Sequence, residues 1–408
     1  MSVPETAVFN PFDPAFFADP YAQYRELREL DPVHHTPLGN WMLFRYDDVL
    51  SVLRDPKTSV EVGNATPTLA TQMFEEMLGD RETDGRDRAM LNLDPPDHDR
   101  LRRLVAKAFN PRMIEALRPR VQQLVDEYLD AVAAQGEMDV VADLAFPLPF
   151  TVISEMLGMP EGNRQSLREW SHALTKTLDP IITPDDVEAA FQASDRMSAH
   201  VEAVVAAKRR EPADDLLSAL IAAEDEGDML TEEELLSQVV LLYIAGHETT
   251  VNLIGNGTLA LLRHPDELAR LRADSSFDAN AVEELLRYDS PVQFSRRITL
   301  APMEIDGHEI DAGSFVLTCL GSANRDPARW GAAADELDLS REGAAQHVSF
   351  GGGVHHCLGA FLARLEAQVA IPTLVRRFPA LEPVEEELAW NGRVVLRGLD
   401  RLPVRLGS

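Results

Sequence analysis

From Thr231 to Arg263 apolar residues recur three and four positions apart without interruption, and this stretch limits the fold more than any other. It opens on a capping box, Thr231 with Glu234 three residues on, and Glu232 and Glu233 suit the positive end of a helix dipole. His264-Pro265 ends it, because a proline ring excludes helical geometry from the residue before it. Roughly 33 residues at about 1.5 Å each make a rod of ~50 Å, enough to cross a whole domain. A helix so long and so apolar must be buried on most sides. One large domain spanning residues 1–408 is therefore expected around it.

The rest of the first two-thirds also has helical spacing, clearest over Pro20 to Leu30 and Pro111 to Ala134, with Asn110 as cap and Pro111 in the first turn. After Pro291 the texture changes. Arg297–Leu300, Met303–Ile305 and Phe315–Leu320 read as short strands, with Asp306-Gly307 and Ala312-Gly313 as turns. The fold class is mainly α with a minor β portion.

With 38 Lys+Arg against 68 Asp+Glu, the formal charge is −30. Such a chain has no bulk attraction for nucleic acid or an anionic membrane. Met1 to Pro14 lacks a basic segment followed by an apolar one, so no signal peptide is expected. The longest aliphatic run, Val239–Ala245, is far short of the ~20 residues a membrane-spanning helix needs. Two cysteines, Cys319 and Cys357, exclude a disulfide scaffold and suit a reducing cytoplasm.

Three motifs carry chemistry. Cys357 stands in Phe350-Gly351-Gly352-Gly353-Val354-His355-His356-Cys357-Leu358-Gly359, ahead of a helical stretch Ala360–Val369. The glycines permit torsions and close approaches that side chains forbid, and the following helix would place N–H donors near the thiolate. Glu284 and Arg287 lie three apart in an otherwise apolar stretch, which favours a buried pair. In the middle of the long helix, Ala245-Gly246-His247-Glu248-Thr249-Thr250 weakens the helix, since Thr hydroxyls compete for carbonyls, and a kink or widening is expected there. A zinc-protease reading of His247-Glu248 fails because the fifth position is Val251. His355-His356-Cys357 is also a poor zinc site, because adjacent side chains point apart.

The Cys357 segment closely resembles the haem-ligand loop of the cytochrome P-450 family, the haem-thiolate monooxygenases. Their pattern Phe-Gly-x-Gly-x-(His/Arg)-x-Cys-x-Gly is met at every specified position. The resemblance covers essentially residues 10–405. It implies the P-450 fold, with the long helix over haem b, and Cys357 as the metal ligand, while Cys319 is read as core. Phe350, Gly351, His355 and Gly359 would form the cofactor loop. His98, Arg102 and Arg297 would meet the haem propionates together with His355. Glu284 and Arg287 match the family's Glu-x-x-Arg pair, and Arg341 is the basic residue that would join them; Ala334 and Leu337 stand where Pro and Phe are usual. Glu248 and Thr249 would be the acid and alcohol that organise protons for splitting dioxygen. Leu241, Ile244 and Ala245 would line the substrate site, with Val292, Gln293 and Phe294 opposite and Val395 or Leu396 beside them. Residues 60–92 and 165–200 would form the lid.

The implied activity is insertion of one atom of dioxygen into an apolar small molecule, with electrons passing from NAD(P)H through a ferredoxin reductase and a ferredoxin. A monomer is expected. Two other readings stay open: a peroxide-driven peroxygenase, in which Arg and Pro usually replace the acid–alcohol pair, and a non-catalytic haem-binding protein. The charge is also unevenly spread. Between His98 and Arg120, Arg100, Arg102, Arg103, Lys107, Arg112, Arg118 and Arg120 face only Asp99 and Glu115. In the family this region flanks the cysteine side, where an acidic ferredoxin would dock.

Overall fold

The computed structural model describes residues 7–13, 15–68, 72, 76, 88–160, 164–180, 182–225, 228–385 and 387–407. Part of the expected lid segment 60–92, namely residues 69–71, 73–75 and 77–87, lies outside them. Helices dominate, and short strands gather into a five-stranded sheet and smaller ones.

The long helix runs from Glu232 to Arg263. Its start is the expected capping box: the Thr231 hydroxyl accepts from the Glu234 amide at 3.2 Å, and the Glu234 carboxylate accepts from the Thr231 amide at 2.9 Å. Every residue from Val251 to Leu261 is buried, because helices Pro147–Leu157, Pro184–Arg210, Asp278–Tyr288 and Ala360–Arg377 pack around the rod. That all-round packing is why the stretch is apolar rather than amphipathic. The principal hydrophobic core follows it, from Leu101 and Val105 through Val141 and Leu144 to Leu285 and Ile371.

The segment expected as one helix over Pro111 to Ala134 is two, Pro111–Ala116 and Arg118–Ala133. Pro119 is the reason: it has no amide hydrogen to continue the first helix, and is well placed in the first turn of the second. Asn110 caps the first as expected, its side chain accepting from the Met113 amide at 3.2 Å.

In the main sheet the strand order is Val33–His35, Trp41–Leu43, Phe315–Cys319, Phe294–Thr299 and Thr58–Ser59. Only the pairing of Trp41–Leu43 with Phe315–Cys319 is parallel. The strand expected at Arg297–Leu300 therefore begins three residues earlier, at Phe294. Met303–Ile305 pairs with His308–Ile310 across Asp306-Gly307, whose φ values of 48° and 78° make the tight turn that dipeptide favours. Of the expected lid segment 165–200, residues 165–176 and 184–200 are helical, in Arg164–Lys176 and Pro184–Arg210, which pack on each other.

Candidate functional site

Glu284 and Arg287, one turn apart on helix Asp278–Tyr288, are fully buried and joined twice, at 2.7 and 2.8 Å. Arg341 adds its Nε to both Glu284 oxygens, at 3.0 and 3.2 Å. The remaining Arg287 hydrogens go to the carbonyls of Asn324, Ala334 and Glu336, so all five guanidinium donors are engaged. Glu284 also accepts from the Asp338 amide at 3.0 Å. The three expected residues thus meet, and they pin the loop around 324–341 to one helix. Ala334 takes part through its carbonyl, and Leu337 is buried.

That loop in turn holds the cysteine segment. Asn324 accepts from the Val348 amide at 2.8 Å and donates to the Ser349 hydroxyl at 2.7 Å, and Ser349 donates to the Leu286 carbonyl. The Cys357 amide closes the loop on the Phe350 carbonyl at 3.0 Å. Gly353 has φ 68°, and a side chain there would run into the Leu53 carbonyl oxygen, so glycine is required. Gly351, with φ 70°, also sits in the left-handed region. Helix Ala360–Arg377 begins just past Gly359. Cys357 is exposed in surface area although it lies deep in the molecule, the combination found on the floor of a cleft. Burial pushes its thiol up, opposed by the Gly359 and Ala360 amides, Arg102 and Arg364.

A second ion network beside the loop was not anticipated. Arg364, on the helix after Cys357, binds Glu283 at 2.6 and 3.0 Å and lies 4.5 Å from the centre of the Phe350 ring, while His347 approaches Glu283 at 3.2 Å. Burial raises the Glu283 carboxyl, but His347 and Arg364 outweigh it and hold it at about 2. The signal was a second carboxylate, Glu283, in the same apolar stretch as Glu284.

The expected cationic residues converge on the same loop. The His98 and His355 rings stand 4.3 Å apart, and Arg102 donates to the His356 carbonyl at 2.6 Å. Arg297 is buried, and its Nη1 donates to the Ser295 hydroxyl at 3.0 Å and the Arg296 carbonyl at 2.7 Å. Among the described residues, no carboxylate reaches ion-pair distance of Arg102 or Arg297; Asp94, which attracts Arg297, accepts from Ser59 and the Val60 amide instead. Burial, then His98, Arg297 and Arg102, push His355 down to about 3, and burial lowers Arg297 to about 10. Arg102 and Arg297 thus carry charge without an ion-paired carboxylate among the described residues, whereas His98 meets Asp99 at 2.8 Å and His355 is pushed to its neutral form.

On the central helix, Leu241, Ile244, Ala245 and Glu248 share one face by helical spacing. Ala245 is exposed there, and Leu241, Ile244, Glu248 and Thr249 are half-buried, so the rod meets a cleft along this one stretch. The Thr249 hydroxyl donates back to the Ala245 carbonyl at 3.2 Å. That competition was expected, yet the helical assignment is continuous from 232 to 263. His247 turns away from the cleft. Its Nδ1 meets the Tyr243 carbonyl at 2.7 Å, its ring packs among Phe146, Phe150 and Tyr243, and burial lowers its pKa.

Val292 pairs with Leu396 in a β-bridge. Two of the expected lining residues are engaged elsewhere. Gln293 is buried and bonded to the Tyr21 hydroxyl and the Ser290 carbonyl, and Phe294 packs edge-on against Phe9 and Tyr24.

A family model for cytochrome P450 matches residues 26–276 and 278–396. The chain is 44% identical over 409 residues to cytochrome P450 107B1 of Saccharopolyspora erythraea, covering 97% of each. It is also 44% identical to the cytochrome P450 monooxygenase PikC of Streptomyces venezuelae, over 96% of this chain and 92% of that one. The structure of the polyketide synthase cytochrome P450 PksS of Bacillus subtilis superposes with a TM-score of 0.89 at 37% identity, covering 98% of this chain and all of that one. Among the described residues no helix is long and apolar enough to cross a membrane. The chain belongs to the cytochrome P450 family and is a haem-thiolate monooxygenase that works with oxygen, a substrate and redox partners.

Proposed function

We propose that Cys357 ligates the haem iron and that His98, Arg102, Arg297 and His355 receive the two haem propionates. The observation that supports this best is the pair Arg102 and Arg297 beside the cysteine loop: neither has an ion-paired carboxylate among the described residues, and their two charges match two carboxylates. Haem held there supplies the redox chemistry that splits dioxygen, a cleavage that thiolate ligation favours in cytochromes P450. Phe350, Gly351 and Gly359 shape the loop on which it rests, and residues 1–408 act as one domain.

The chain's own residues handle protons and substrate. Thr249 directs its hydrogen to the Ala245 carbonyl, which leaves its lone pairs to accept from groups in the cleft. Glu248 stands one residue before it and supplies protons; one oxygen atom enters the substrate, and the other leaves as water with two electrons and two protons. Leu241, Ile244, Ala245, Val292 and Leu396 form an apolar lining that orients a C–H bond and excludes water. The relative PksS of Bacillus subtilis is a polyketide biosynthesis cytochrome P450, which supports a polyketide among the apolar substrates.

Electrons come from NAD(P)H by way of a ferredoxin reductase and a ferredoxin in the cytoplasm. Arg100 pairs with Glu234, Arg118 with Glu115, and Arg120 with Glu155. The basic side chains exposed on this surface include Arg103, Lys107 and Arg112. Product formation from a panel of apolar substrates, with NADH plus a ferredoxin system against hydrogen peroxide alone, tests this. Activity only with the electron-transfer system is expected. Activity with peroxide alone points to a peroxygenase, and none with either to a non-catalytic haem protein.

A further inference from the structure

Arg393, which the sequence did not single out, is buried between the acid of the central helix and the lid. Its Nη1 donates to the Thr175 hydroxyl at 2.6 Å and lies 3.5 Å from the Glu248 carboxylate; its Nη2 donates to the His172 carbonyl at 2.9 Å. Thr175 and His172 are in the last turns of helix Arg164–Lys176. Just beyond that helix, Asp179 accepts from the amides of Val394 and Val395 at 3.0 and 2.8 Å. The segment 393–395 is therefore the seat of the lid helix, and one guanidinium nitrogen faces both the lid and the acid.

The two contacts are unequal. At 2.6 Å the Thr175 bond is short, whereas 3.5 Å to Glu248 is at the outer limit of a hydrogen bond. With the lid seated, Arg393 is drawn toward the lid and grips Glu248 loosely. If the helix end lifts, the guanidinium loses Thr175 and the His172 carbonyl, and its nearest counter-charge is Glu248. A buried arginine that has lost two acceptors closes on the remaining carboxylate.

We propose that Arg393 is a positioning residue that ties proton delivery by Glu248 to the seating of the lid helix. A seated lid leaves Glu248 loosely held; a raised lid locks it in an ion pair. The inference rests on the reading of Glu248 as the acid. The other charged groups around the pair are Asp179 and Asp400 beside Arg393, with His172 and Arg168 on the lid helix and His247 next to Glu248.

The test is a double-mutant cycle on the haem-loaded enzyme, measuring product formed per NADH together with amide hydrogen exchange over residues 164–180. Thr175→Val removes the lid acceptor without touching Glu248. It is expected to lower product per NADH several-fold and to raise exchange at the helix end. In an Arg393→Ala background the same substitution is expected to change product per NADH no further, while Arg393→Lys, which keeps the charge, keeps most of the sensitivity. Equal losses from Thr175→Val with and without Arg393 would overturn the inference, since the lid would then act by another route. Glu248→Gln, measured alongside, separates the two failures: if it leaves product per NADH unchanged, the acid reading is wrong; if it lowers the yield while the cycle is additive, only the role of Arg393 is wrong.

Discussion

The cleft is held in contrasting ways on its two sides. Below, Cys357 rides on a loop tied to a fully buried Glu284–Arg287–Arg341 cluster in which every donor of Arg287 is used. Above, the lid helix Arg164–Lys176 is seated at its end by a few bonds to Arg393, Val394 and Val395, one of them shared with Glu248. A buried charge with all partners satisfied has no cheap alternative arrangement, so the cysteine side is rigid. A helix end held by a few side-chain bonds opens at low free-energy cost. The proposed metal ligation needs the first; the proposed substrate exchange needs the second.

The largest effect should come from breaking the rigid side. Glu284→Ala leaves Arg287 and Arg341 without their carboxylate and is expected to cost about 3–5 kcal/mol, read as the shift in a urea unfolding midpoint. A loss below about 1 kcal/mol, typical of an exposed pair, would remove the contrast between the two sides.

Next is the neighbouring Glu283, whose folded value of about 2 lies below its ordinary 4.5. A depressed carboxylate stabilises the fold fully above its unfolded pKa, and that contribution is lost as pH falls from about 4.5 through about 2. At about 1.4 kcal/mol per unit, the contribution is at most about 3.5 kcal/mol. Glu283→Gln should flatten the fall in stability over that window, measured by unfolding at a series of pH values; an unchanged slope would show that Arg364 and His347 do not hold this charge.

On the central helix, Thr249→Ala is expected to preserve electron consumption while product per electron pair falls by about an order of magnitude and peroxide rises, short of the ~10²-fold a full general acid contributes. Unchanged coupling would exclude Thr249 from proton delivery. The smallest effect concerns the outer surface. Arg103→Glu should slow reduction by an acidic ferredoxin a few-fold at low ionic strength and little at high, as screening removes the steering. A rate insensitive to both salt and this substitution would move the docking site.

The same contrast governs what the sequence reveals. The long helix was legible to within a residue because both of its ends carry chemical stops, Thr231–Glu234 and His264-Pro265. Asn110 was legible as a cap, but Pro119 was overlooked as a break inside an apolar pattern that continues past it. On the cysteine side, glycines with positive φ and a buried ion pair leave local marks, and the resemblance supplied Arg341. Gln293 and Phe294, expected to line the substrate site, contact Tyr21, Phe9 and Tyr24 from the start of the chain, which periodicity around Pro291 does not reveal. Arg393 left no mark at all. Its partners, Thr175 and Glu248, lie 218 and 145 residues away, and only the fold brings them together.

The central claim is that Cys357 is the thiolate ligand of a haem seated on the 350–359 loop. The absorption spectrum of the ferrous carbon monoxide complex tests it most directly. The red-shifted Soret band of thiolate ligation is predicted for the folded protein, and its loss in Cys357→His. A histidine-type band in the folded, unmutated protein would contradict the assignment.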